Sequence, residues 1–284
     1  MKNLKILVIL AFGVSLTNCE KESVEVTPTT NETAQEVISP KMLSQIDAMG
    51  FSTEKAELIG DGKEIRVEGD IILTIADLEN RASQNSLGQK HRKTKNLVRC
   101  WKVGDIKIKH FLSGERKTAF EEAVTIWNNN TASRVKLRYV NDRQDITIVG
   151  ASDDTVKGAF ADALTPTANG MPGNRIRVNL DSNRSKTFWR NIFLHEIGHT
   201  LGFDHNDDAK GRLTVVRNGN VVKVVTVINE LIDGIAEDDE FSLFNSGQYP
   251  GAVEKWEWQT DFSFWDKKAI QKLYGFGDNV DCTN

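Results

Sequence analysis

Apolar positions between residues 96 and 276 switch between a period of two and one near 3.6, and the switches mark out elements. Ile106 and Ile108 alternate with polar neighbours, as in a half-buried strand. Phe120, Ala123, Val124 and Trp127 stand at i, i+3, i+4 and i+7, one face of a helix that Ser113 is placed to cap. Val135, Leu137 and Tyr139 predict another strand, DITIV at 145–149 a third, and Ile176, Val178 and Leu180 a fourth. GAFADAL at 158–164 reads as an edge strand. A helix is predicted over 186–201, stopped by Gly202. A last one covers 266–274, with Ala269, Ile270 and Leu273 inward and Gly275 expected left-handed beyond its end. Two Val-rich runs flank Asn218-Gly219, a strong hairpin signal. Helices interleaved with strands in this order predict an α+β fold, a twisted sheet with two helices packed on it. No internal repeat is visible.

The first 95 residues follow another pattern. Lys2 and Lys5 precede an apolar run over 6–16, long enough for a signal-peptide core and too short to span a bilayer. It ends in Leu16-Thr17-Asn18-Cys19, which resembles a bacterial lipobox and implies export with lipidation of Cys19; a plain secretory signal is the alternative. Residues 20–40 have no period and read as a solvated tether. Residues 41–95 form a small segment: Met42, Ile46 and Met49 line one helix face, and 64–73 reads as a strand broken at Gly69. It ends in a basic linker, Lys90-His91-Arg92-Lys93-Thr94-Lys95, the best domain boundary and an easy site for a trypsin-like protease. The main domain then covers 96–284.

Composition narrows the function. Lys and Arg number 36 against 40 Asp and Glu, a net charge of −4, which leaves no basic footprint for nucleic acid. Three Cys are too few for a disulfide scaffold. Cys100 and Cys282 are a candidate disulfide in an exported chain, with two free thiols as the alternative.

The chemistry concentrates in 195–205, HEIGHTLGFDH, which holds three of the five histidines. On a helix His195 and His199 share a face and can point two imidazoles at one ion. Glu196 can reach a water on that ion without ligating it. Gly202 lets the backbone leave the helix with positive φ, so that His205 can swing back as a third ligand. Three nitrogens and an open fourth position are the pattern of catalytic zinc, with Glu196 as general base. All five fixed positions arise by chance in a chain this long only on the order of once in 10^5. His91 and His110 are isolated and read as structural or solvated.

HExxHxxGxxH is the metzincin signature, and the HEIGH wording resembles the dual-action HEIGH metallopeptidases found among bacterial lipoproteins. Similar features include the DITI strand, Pro172-Gly173-Asn174-Arg175-Ile176 and the closing Ala269-Ile270-Gln271-Lys272-Leu273-Tyr274-Gly275. The resemblance implies a zincin fold with a mostly parallel sheet, Zn2+ on His195, His199 and His205, Glu196 as general base and a polypeptide substrate. It also implies strand addition of substrate along Gly158, Ala159, Phe160 and Ala161. Where metzincins carry a methionine turn beneath the metal, this chain has Ser242-Leu243-Phe244-Asn245, so Phe244 would be the apolar floor. Tyr249 is a weak candidate for the tyrosine some relatives use, with packing as its alternative role. Val67-Glu68-Gly69-Asp70-Ile71 is similar to an astacin-type prosegment element whose Asp caps the zinc, which makes Asp70 a candidate latency residue; a simple turn is the alternative.

Calcium on the acidic run 237–240 with Asp207-Asp208 is a second candidate cofactor, though a solvated loop fits better because the spaced ligand pattern is missing. Membrane contact is expected only through the lipid anchor. Two rival readings stand beside the latent zinc endopeptidase. One is a degenerate metzincin-fold lipoprotein that binds a partner. The other is a thermolysin-like enzyme with Glu230 as third ligand.

Overall fold

The computed structural model describes residues 38–49, 51–80, 92–94, 96–206, 211–217, 220–227, 230–232, 235, 239–247 and 251–276. The segment before the linker opens with α1 (Pro40–Ala48), which Ser39 caps by accepting from the Met42 N–H at 3.2 Å. Strands β1 (Glu57–Ile59), β2 (Glu64–Val67) and β3 (Ile71–Thr74) follow, then α2 (Ile75–Asn80). The three strands form an antiparallel meander. The break expected at Gly69 is therefore a full reversal, in which Glu68 and Gly69 take φ of 55° and 101°.

Next come β4 (Arg92–Lys93), α3 (Cys100–Val103), β5 (Ile106–His110), α4 (Gly114–Asn130), β6 (Leu137–Tyr139) and β7 (Ile146–Ala151). They lead into α5 (Asp153–Val156), β8 (Ala161–Leu164), β9 (Arg175–Asn179) and α6 (Lys186–Leu201). The hairpin β10 (Gly211–Arg217) with β11 (Asn220–Val227) follows as predicted. Then come β12 (Glu230–Leu231), α7 (Ala252–Trp256) and α8 (Phe264–Tyr274).

Eight strands form one sheet in the order β1-β2-β3-β8-β9-β7-β5-β6. The pairs β3–β8, β9–β7, β7–β5 and β5–β6 are parallel and the other three antiparallel, the mostly parallel α+β sheet expected. Alternating Ile146/Ile148 and Ile176/Val178 are buried with α4 and α6 in one apolar core. The predicted inner face of α4 meets α6 directly: Phe120 lies edge-on to Phe193 at 5.1 Å, and Trp127 Nε1–H donates to the Leu194 carbonyl at 3.2 Å. Each such side chain, fully buried, contributes about 1.5–3 kcal/mol. Ser263 and Asp266 close a capping box at the start of α8.

Five expectations need correction. Only Ala161–Leu164 is strand; Gly158, Ala159 and Phe160 belong to the turn before it, where Lys157 and Gly158 take positive φ. Nor is β8 an edge. The apolar run Ile71-Ile72-Leu73 brings β3 alongside, and Ala163 N–H donates to the Asp70 carbonyl at 2.9 Å. The basic linker is partly structured: β4 pairs with β12, Thr94 is buried, and its N–H donates to the Gly202 carbonyl at 2.7 Å. Lys90, His91 and Lys95 lie outside the described residues. Gly275 is extended rather than left-handed; it is small because a Cβ would meet the Gln271 carbonyl oxygen at 2.3 Å. Ser113 stands at the N-cap of α4, but its side chain makes no capping hydrogen bond among the described residues. No described helix is long and apolar enough to cross a membrane.

Candidate metal centre

Helix α6 carries the first two of the three candidate ligands. Ser185 caps it, accepting from the Phe188 N–H at 3.0 Å, and Gly202 ends it at φ 107°. A Cβ at Gly202 would stand 2.7 Å from the Asn96 carbonyl, so both backbone angle and space require glycine. The chain turns back there, and His195, His199 and His205 converge, all fully buried. Their Nε2 atoms are 2.8 Å apart for His195–His199 and 3.2 Å for each pair with His205. Glu230, the alternative third ligand, lies instead in β12, paired with Lys93.

Proton positions follow from the partners of Nδ1. His195 Nδ1 lies 2.6 Å from the Leu243 carbonyl and His199 Nδ1 2.9 Å from that of Phe203. A carbonyl only accepts, so both Nδ1 atoms carry the proton and both Nε2 atoms present lone pairs. Lone pairs facing one another 2.8 Å apart in a dry site repel unless a cation lies between them. The spacing also approaches the roughly 3.3 Å between nitrogens that tetrahedral zinc requires. The residues fit the metal.

Asp70 completes the cluster from the β2–β3 turn. Its Oδ1 is 3.2 Å from His205 Nε2 and 3.8 Å from His199 Nε2, and its Oδ2 is 3.5 Å from His195 Nε2. Among the described residues this is the one group of His, Cys, Asp and Glu gathered closely enough to hold an ion. Burial pushes the Asp70 carboxyl up, but His205, His195 and His199 outweigh it and hold it well below the usual carboxylate range. Burial and the two neighbouring imidazoles push His199 down. Burial likewise presses on His205, but Asp70 and Glu68 outweigh it and raise that imidazole. Glu196 is pushed well up, first by burial and then by the carboxylates of Asp70 and Asp162. Its buried Oε2 has no hydrogen-bond partner among the described residues. Glu196 lines a cavity of about 270 Å³ together with Asp70, Lys157, Phe160, Ile192 and Trp256.

Phe244, the candidate floor residue, is fully buried and stacked on Phe203 at 4.6 Å with an interplanar angle of 4°. Gly198 makes room for it, since a Cβ there would stand 2.2 Å from Phe244 Cε1.

A model of the dual-action HEIGH metallopeptidases matches residues 65–232, more than half the chain. The chain belongs to that family. It is a zinc metallopeptidase, a hydrolase of polypeptides, and its histidine cluster is a candidate site for the family's metal. No curated protein matches it. Among solved structures, two of myroilysin are similar. One is 12% identical over 61% of this chain and 81% of that one, with a TM-score of 0.39; the other is 13% identical over 61% and 85%, at 0.36. A third is the high choriolytic enzyme 1 of medaka (Oryzias latipes), a hatching enzyme zinc-protease, 16% identical over 62% of this chain and 97% of that one, at 0.36.

This HEIGH metallopeptidase carries two carboxylates at the site that sequence reasoning missed. Glu68 faces the far side of His205. Asp266, buried, accepts from Ser242 Oγ and from the Leu243 N–H at 2.9 Å, which fixes the peptide whose carbonyl holds His195. The Ser-x-x-Asp pattern of a capping box was the available signal for Asp266. Cys100 is disulfide-bonded and offers no free thiol; Cys282, Cys19 and Tyr249 lie outside the described residues. Of the candidate calcium run, Asp239 accepts from Ser263 Oγ and the Phe241 N–H, while Asp207, Asp208, Glu237 and Asp238 lie outside the described residues.

Proposed function

We propose that this chain is an exported, lipid-anchored zinc endopeptidase made in latent form. His195, His199 and His205 hold the metal, Asp70 caps it in the uncut chain, and Glu196 is the general base. The observation that carries this reading is the convergence of three imidazoles and Asp70 beside a buried Glu196. When bound, zinc supplies Lewis acidity toward a carbonyl oxygen and toward water.

Latency has two supports. Asp70 reaches all three imidazoles, and β3 occupies the side of β8 along which an extended substrate would pair. Removal of residues 41–80 would free both at once. Glu196 then accepts the proton of the attacking water and delivers it to the departing amide nitrogen as the C–N bond breaks. Departure of Asp70 also removes one of the negative charges that raise Glu196. Cys19 supplies the lipid anchor, and a cut in the linker releases the enzyme from the surface. The convergence of all three histidines beside Glu196 supports this reading over a degenerate binding module.

The test is hydrolysis of casein by the uncut chain and by chain cut within 81–91, each with and without a chelator. Activity that appears on cutting and vanishes with chelator supports the reading. Equal activity before and after cutting removes latency, and indifference to chelator removes the metal.

A further inference from the structure

We infer that Glu68 is a positioning residue for the metal: it fixes the ring of His205 while the prosegment is docked, so the uncut chain holds zinc more tightly than the mature enzyme. The inference rests on the reading of His205 as a zinc ligand.

The three imidazoles are not held alike. The Nδ1 atoms of His195 and His199 face backbone carbonyls of Leu243 and Phe203, both on the catalytic side. His205 Nδ1 instead faces Glu68 Oε2 at 3.4 Å, across from the prosegment. Glu68 is buried, and its other oxygen accepts from the Ser52 N–H at 2.8 Å, so the carboxylate is anchored within the prosegment while it serves the site. The pair does not meet hydrogen-bond geometry, so Glu68 acts through its charge: a negative oxygen 3.4 Å from Nδ1 favours the tautomer with the proton on that nitrogen and leaves the Nε2 lone pair for a cation. Glu68 also adds a second negative charge, after Asp70, beside the dication. By linkage, whatever the prosegment contributes to zinc binding, zinc returns to prosegment docking.

Glu68→Gln separates this role from packing. Glutamine has nearly the same shape but only one acceptor. If its oxygen takes the Ser52 N–H, its amide turns a donor toward His205 Nδ1 and favours the tautomer whose Nε2 carries the proton. The measurement is zinc affinity of the uncut chain by competition with a chromogenic chelator, beside the melting temperature of the metal-free protein. Loss of such an outer partner typically lowers metal affinity 10- to 100-fold. A loss of that size in both E68Q and E68A, with metal-free melting unchanged in E68Q and a shifted His205 tautomer by ¹⁵N NMR, is the expected result. Affinity within twofold of wild type in both variants overturns the inference. So does a loss matched by a lower metal-free melting temperature without a tautomer shift. Asp70→Ala and His205→Ala in the same titration separate the causes. Unchanged D70A with weakened E68Q removes only the capping role of Asp70, whereas unchanged H205A removes the ligand assignment beneath the inference.

Discussion

The described residues hold two apolar cores of different size, and the seam between them combines apolar strand pairing with buried ion pairs. The larger gathers α4, α6, α8 and the strands β5 to β9 around Trp127, Phe193 and Phe244. The smaller, within residues 38–80, is built from Ile46, Phe51, Ile65, Val67, Ile71, Leu73 and neighbours. Between them run the β3–β8 ladder and ion pairs: Arg66 to Asp162 at 2.8 Å, both buried, and Arg175 to Glu64 at 2.7 Å. Asp162 is shared with Arg177 at 2.7 Å, so it keeps a partner when Arg66 leaves. The smaller body has its own core and is joined to the larger by ladder bonds, ion pairs and the contact of Ile71 and Ile72 with Ala163 and Leu164. The metal centre lies on this seam, with His195 and His199 set from the catalytic side and Asp70 and Glu68 offered from the other.

The largest effect expected on the catalytic side is from Glu196→Ala, which should lower hydrolysis by the cut enzyme roughly 10²- to 10⁴-fold while zinc stays bound; kinetics and elemental analysis of the same sample check both halves. At the seam, Arg66→Met removes one hydrogen bond to a charged group, Asp162, worth about 1.5–3 kcal/mol, and one to the Thr155 carbonyl. Faster release of the prosegment after linker cleavage, read by size exclusion, is expected, and an unchanged release would mean the strand ladder alone holds it. Gly198→Ala should destabilise by about 1–3 kcal/mol through overpacking against Phe244. Adding Phe244→Met, whose thioether can bend aside, should recover part of that loss in denaturant unfolding. Asp70→Ala should raise hydrolysis by the uncut chain about tenfold, equivalent to ~1.4 kcal/mol of relieved block; a peptide assay with the linker intact shows whether it does.

Local signals carried much of the fold into view. The helix over 186–201 matches its predicted limits because an N-cap Ser and a stop Gly bracket it. The β10–β11 hairpin follows from its turn dipeptide, and the inner face of α4 from its period. The candidate histidine cluster was legible because HExxHxxGxxH packs three histidines into one helix and its exit. What was hidden depends on distant pairing. That β8 is covered by β3 cannot be read from 158–164, since the covering strand lies before the linker. The reason for Gly198 appears only where Phe244 meets it, and Glu68 gains its role only where the β2–β3 turn meets His205. Arg92–Lys93 looked like a solvated linker because its partner, Glu230–Leu231, is far along the chain.

Zinc content of the purified, folded chain, measured beside His205→Ala, tests the central claim most directly. One equivalent in the wild type and a marked loss in the variant is the predicted result. A well-folded wild type that stays empty after reconstitution, or a variant that holds zinc equally well, would contradict the account.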